Sequence, residues 1–159
     1  MRSEVEIEVV LDKRYIDPKV TIKTKDKSQQ VENIISAIEN ATESESPLVA
    51  AFQGENLELL SQREIYRIYT HGRKVMVQTE KETYFVKKSL SGIEEDLNPK
   101  RFFRISQSEI VNISRVKRFD INMAGTIGVE FENGQKSWAA RSRVRAIKDM
   151  IRELTRERN

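Results

Sequence analysis

The hydrophobic pattern changes period once within the first 40 residues. Val5, Ile7 and Val9 alternate with Glu4, Glu6 and Glu8, and after the turn-like D-K-R-Y-I-D-P the residues Val20 and Ile22 alternate with Lys19, Thr21 and Lys23. Period two on both sides of a turn predicts two half-buried strands. Val31, Ile34, Ile35 and Ile38 then fall at i, i+3, i+4 and i+7 behind the candidate caps Asp26 and Ser28, which predicts an amphipathic helix from roughly Ser28 to Asn40. A strand, strand, helix unit of this size has too little surface to bury alone, so its helix must cover a sheet or a partner. The polar run A-T-E-S-E-S-P, Ala41 to Pro47, reads as a linker ending in a helix-breaking proline.

From Leu48 onward the pattern is a series of short β-like runs: L-V-A-A-F, L-E-L-L, E-I-Y-R-I-Y, K-V-M-V-Q-T, T-Y-F-V, R-F-F-R-I, E-I-V-N-I and V-K-R-F-D-I. His71-Gly72, Ala124-Gly125 and Asn133-Gly134 punctuate alternating segments, and Asn-Gly suits a tight hairpin because both residues tolerate positive φ. A brief helical pattern, Ser89 to Leu97, interrupts. At the C-terminus Val144, Ile147, Ile151 and Leu154 share one helical face, with Arg141, Arg145, Lys148 and Arg152 on another. The expected architecture is mostly β, α+β overall: residues 1–47 form a small strand-strand-helix unit with a linker, and residues 48–159 a domain of short antiparallel sheets closed by a C-terminal helix.

Composition removes several classes of chemistry. The 159-residue chain has no cysteine and one histidine, which excludes disulfides, thiolate metal sites, cysteine nucleophiles and multi-histidine metal centres. No apolar run approaches the ~18 residues of a membrane span, and the start lacks a signal-peptide core, so a soluble cytoplasmic protein is expected. His71 sits in a turn, the carboxylates mostly alternate with apolar residues, and phosphate-cradling glycine motifs are missing. We therefore expect no enzyme, no cofactor, no metal and no small-molecule substrate.

The charge is segregated. Residues 1–60 hold 7 basic and 12 acidic side chains, whereas residues 61–159 hold 21 basic and 13 acidic. Between Lys100 and Lys148 the basic side chains number 11 against 4 acidic, many of them in turns. A single charge cluster is usually just a solvated face, but many like charges together suit a polyanion. Arg73 and Lys74 follow the His-Gly turn, Arg104 opens a polar S-Q-S-E stretch, Arg115, Lys117 and Arg118 cluster, and Arg141, Arg143 and Arg145 follow the last strand. Arginine can bond guanine bidentately and glutamine can do so with adenine, so Arg73, Gln107, Arg141 and Arg143 are of the types that read bases. No helix-turn-helix pattern occurs, which points to a reader carried on loops. Phe85, Phe102, Phe103, Phe119 and Phe131 lie within strand patterns and are expected in the core.

The run F-F-R-I-S-Q-S-E-I-V-N, Phe102 to Asn112, resembles the hallmark of the LytTR-type DNA-binding domain, F-x-R-x-H/S-x-S-x-I/V-V-N. E-I-Y-R-I-Y-T-H-G-R-K-V upstream, S-L-S-G-I-E-E-D-L-N-P-K-R-F-F leading into the hallmark, and F-E-N-G-Q-K-S-W-A-A-R-S-R-V-R-A-I-K after it agree in order, so the resemblance covers roughly Leu57 to Lys148. It implies a β-dominated domain whose loops enter successive major grooves of double-stranded DNA, usually at imperfect direct repeats in promoters. It places Arg73 and Lys74 in the first recognition loop, Arg104, Ser106 and Gln107 in the second, and Arg141 with Arg143 in the third. Asn112 falls at the characteristic asparagine, with an expected supporting role. Two residues depart from the pattern: Ser106 stands at the hallmark's common histidine, and Ala140 precedes Arg141 where a serine is usual. The roughly 50 residues before the match are too few for a receiver domain. The arrangement resembles stand-alone LytTR regulators, which implies a bacterial transcription regulator with a membrane-embedded inhibitor protein as a further partner; direct repeats about one helical turn apart would place two copies on one DNA face, so a homodimer or cooperative pair is expected. The competing expectation is an interaction adaptor whose basic face meets an acidic protein or a membrane surface.

Overall fold

Ten strands, three α-helices and three 3-10 turns make up the computed structural model, which describes residues 4–15, 18–43, 46–121 and 125–158. The chain divides into two compact units, residues 1–38 and 39–159.

Before Pro47 the predicted helix forms and the predicted strands do not. Helix α1 spans Gln29–Glu43, three residues beyond the expected end, because A-T-E holds no breaker before Pro47. Ser28 caps it, its hydroxyl accepting from Val31 N at 3.4 Å and its carbonyl from Glu32 N at 3.1 Å. Residues 4–11 and 18–24 are in neither helix nor strand, and Val5, Ile7, Val9, Val20 and Ile22 are exposed. The alternation is real, but a two-stranded ribbon with one apolar face is marginal without a third strand or a covering layer.

Every β-like run after Leu48 becomes a strand. β1 (Val49–Gln53), β2 (Asn56–Leu60), β3 (Arg67–His71), β4 (Lys74–Gln78) and β5 (Thr83–Val86) precede helix α2 (Leu90–Asp96). β6 (Phe102–Ser106) and β7 (Glu109–Asn112) complete an antiparallel seven-stranded sheet of order β2-β1-β5-β4-β3-β7-β6. β8 (Val116–Ile121), β9 (Ile127–Phe131) and β10 (Lys136–Trp138) form a second antiparallel sheet, and helix α3 (Val144–Arg158) ends the chain. Ser89 starts α2 by accepting from Gly92 N at 3.0 Å. In the Asn133-Gly134 turn only Gly134 takes positive φ, 86°. Ala124 lies outside the described residues.

Period-two burial sorts the side chains into two cores. Val49, Ala51, Ile68, Val75, Val77 and Val86 of the large sheet pack with Leu90 and Ile93 of α2 and with Leu97, the residue that ends it. Ile105 and Val111 of the large sheet meet Ile127, Val129 and Phe131 of β9 and Ile147 of α3 in the other. The expected face of α3 is the buried one: Ile147 is inaccessible, and Val144 and Ile151 pack at the margin. Phe102 and Phe131 are core residues, and Phe103 and Phe119 border the second core. Phe85 is only half-buried: it stacks on Phe52 with ring centroids 5.3 Å apart, and Lys74 Nζ lies 5.4 Å from its ring.

Candidate nucleic-acid interface

Strand order determines where the basic turns emerge. β3 and β7 are neighbours with Tyr69 opposite Glu109, so the β3–β4 turn at His71–Lys74 and the β6–β7 turn at Ser106–Ser108 leave the same end of the sheet. Thr70 N donates to Ser108 O at 2.9 Å and ties the two turns together. Beside them, Ala140 N donates to Ile105 O at 2.9 Å, which places the 3-10 turn Arg141–Arg143 against β6. Three turns far apart in sequence thus share one end of the domain, joined by backbone bonds that no side-chain change removes. In the first of them Gly72 has φ 62° at the first position of a two-residue loop, the place where hairpin turns demand glycine.

The side chains on these turns divide into two groups. Arg73, Lys74, Gln107, Arg141, Arg143 and Arg145 are exposed, and none of the five cations among them has an ion pair among the described residues. Arg104 is held inside: its Nε donates to Ser106 O at 3.0 Å, its Nη2 to Gln107 O at 2.5 Å, and its Nη1 sits 3.3 Å from Glu94 Oε2. Its side chain is only 18% exposed, so the guanidinium clamps the carbonyls of the second turn from below. Ser106 is half-buried and also serves the turn, its hydroxyl accepting from Ser108 N at 3.2 Å. Of the Arg115, Lys117 and Arg118 cluster, Arg115 bonds Arg63 O and Glu132, and Arg118 pairs with Glu130; Lys117 is exposed.

Behind the turns stand two buried polar groups. Asn112 is inaccessible to solvent; its Nδ2 donates to Ile65 O at 2.8 Å and its Oδ1 accepts from Ser114 N at 3.0 Å. It therefore supports the backbone around β7 and presents nothing to a ligand. Glu109 accepts from Arg67 Nη1 at 3.0 Å and from the Ser137 hydroxyl, while Arg67 Nε donates to Gln78 at 2.6 Å. This network joins β3, β4 and β7 to β10, the strand that leads into the third turn.

The model of the LytTr DNA-binding domain family matches residues 55–152. This chain belongs to the LytTR family. A solved structure with the same fold is the LytTr DNA-binding domain of a Bacillus cereus protein described as a methyl-accepting/DNA response regulator. It is 20% identical, with a TM-score of 0.63 over 66% of this chain and 96% of that one. No curated protein matches the sequence. The LytTR domain is a DNA-binding domain of transcription regulation and its family is not one of enzymes, so duplex DNA is the partner of this chain. Among the described residues no helix is long and apolar enough to cross a membrane, and no group of three or more His, Cys, Asp or Glu side chains is placed to hold a metal ion.

One cation of this LytTR domain escapes a reading by sequence clusters. Continuing the β4–β5 register, in which Val75 faces Val86, sets Lys87 opposite Lys74 at the end where the first turn emerges. Like charges directly across a ladder repel, and neither lysine has an acidic partner among the described residues. Lys87 Nζ instead lies 4.8 Å from the Phe52 ring. Its signal was present only in the pairing of two strands, which the K-K-S-L run does not disclose.

Proposed function

We propose that the protein is a sequence-specific regulator of transcription that inserts its three basic turns into successive major grooves of duplex DNA at direct repeats in promoters. The single observation behind this reading is the convergence of His71–Lys74, Ser106–Ser108 and Arg141–Arg143 at one end of the domain. Arg73, Gln107, Arg141 and Arg143 have forked or amide ends on these turns and would bond base edges; Lys74, Lys87, Arg145 and Lys148 would neutralise phosphates. Arg104 and Ser106 would act by shaping the second turn. Repeats about one helical turn apart put two copies on the same face of the duplex, so the regulator would bind as a pair. The division of labour assigns residues 48–159 to DNA and residues 1–47 to partner contact. The resemblance to stand-alone regulators extends the reading to a cytoplasmic protein that a membrane-embedded inhibitor draws off DNA.

The test begins with selection of bound sites from random duplexes, followed by titration of the enriched site and a scrambled one at physiological salt. A preference of roughly 10³-fold or more is expected. Equal binding to both duplexes overturns the reading and returns the basic face to an acidic protein or membrane surface.

A further inference from the structure

The first unit exposes two runs that are complementary to each other. Val5, Ile7 and Val9 alternate with Glu4, Glu6 and Glu8, and Val20 and Ile22 with Lys19, Thr21 and Lys23, so that each run, once in a strand, would gather its apolar residues on one face and its charges on the other. Solvent reaches 83% of Ile7, 77% of Val9 and 61% of Val20. Single exposed apolar residues are ordinary, but a row of them at strand spacing marks a surface that something covers. Residues 12–15 form a turn, with Tyr15 N donating to Asp12 O at 3.1 Å and Arg14 chelating Asp12, whereas neither run is in a strand. All six charges of residues 4–10 and 19–25 are exposed and have no ion pair among the described residues.

We propose that residues 4–10 of one copy pair with residues 19–25 of a second copy, and the reverse, so that the N-terminal runs of two chains form two symmetry-related ladders. The proposal rests on the reading above that two copies act together, and names the surface that joins them. Charge selects the occupant. Pairing a run with its own equivalent would set Glu against Glu and Lys against Lys, while the crossed pairing sets each glutamate row beside a lysine row and leaves the apolar rows on a common face. The crossed arrangement is two-fold and self-complementary, as a closed dimer requires. Ile34, Ile35 and Ile38 of α1, only half-buried, supply an apolar face of the kind such ladders must be covered by.

The experiment is sedimentation of the full chain at micromolar concentration, with and without a two-repeat duplex. One variant carries Glu4→Lys, Glu6→Lys and Glu8→Lys, the other Lys19→Glu, Lys23→Glu and Lys25→Glu; none of these residues belongs to the DNA turns. Wild type is expected to be dimeric. Each variant alone is expected to be monomeric, its dimer dissociation constant raised at least about 100-fold, and an equimolar mixture of the two to restore a heterodimer. An unchanged thermal transition and single-repeat DNA affinity would show that the DNA-binding domain is intact in each variant. Variants that remain dimeric overturn the surface while leaving paired action standing. Variants that are monomeric alone and stay so when mixed place the ladder within one chain or against another protein, and overturn the proposal. A wild type that is monomeric both free and on DNA overturns paired action itself.

Discussion

At Arg104 three donors of the guanidinium are directed at the Ser106 and Gln107 carbonyls and at Glu94. Arg104→Ala should therefore act through the turn: specific DNA affinity falls about 10-fold or more, amide exchange at Ser106–Ser108 accelerates, and the salt slope stays as in wild type. A residue on phosphate would instead reduce that slope by about 1 when removed, which is the outcome expected for Lys87→Ala and Lys148→Ala, with equal weakening on all sequences. Gln107→Ala and Arg141→Ala should each cost roughly 1–3 kcal/mol of discrimination against a changed base pair. Competition titrations against single-base operator variants separate the three behaviours. Gly72 is constrained by its φ of 62° and not by space, since nothing lies within 4 Å of where a Cβ would stand. Only a left-handed conformation, costly to a side-chain-bearing residue, keeps Arg73 at the tip.

Between elements, the buried polar groups hold the turns to their supports. Asn112→Ala removes the partners of the Ile65 carbonyl and the Ser114 amide at a site closed to water, so urea unfolding should show a loss of roughly 1–3 kcal/mol. Glu109 and Arg67 are a mostly buried pair with two further hydrogen bonds, one of which reaches β10 in the other sheet. Glu109→Ala leaves the mostly buried guanidinium without its counter-ion, with only Gln78 and the Tyr69 ring beside it, and roughly 3–5 kcal/mol of stability should go with it. Glu109→Gln keeps a bond to Ser137 and should lose less. If Glu109→Gln is as stable as wild type, the carboxylate charge is not what joins the sheets.

For the whole molecule, segregated charge and the gathering of turns at one end predict the salt dependence. With about six of the cations at Arg73, Lys74, Lys87, Arg141, Arg143, Arg145 and Lys148 on phosphates, the slope of log affinity against log salt should be about −5. Titrations from low to physiological salt measure it, and a slope near −1 would mean that these cations do not share one footprint. The second core carries the third turn, because Ile147 of α3 is packed against β9. Ile147→Ala should destabilise the domain by roughly 2–5 kcal/mol and weaken DNA binding as α3 loosens.

The strands of the DNA-binding domain, its last helix and the brief helix after Ser89 were legible because each follows from a local rule: side-chain period or a breaker. The same locality misled at Val5–Val9 and Val20–Ile22, where the right period produces no strand because a strand needs a neighbour and the pattern does not supply one. A side chain's type also says nothing of which carbonyls lie within its reach, so the place of Arg104 in the second loop did not disclose that it bonds that loop's own backbone. By itself, then, the sequence determined the elements, the family and the sign of the charge on each segment. Only the tertiary structure decided that the three turns meet, that Lys87 joins Lys74, and that Arg104, Glu109 and Asn112 face inward, because strand order brings together residues separated by tens of positions and no local pattern encodes that order.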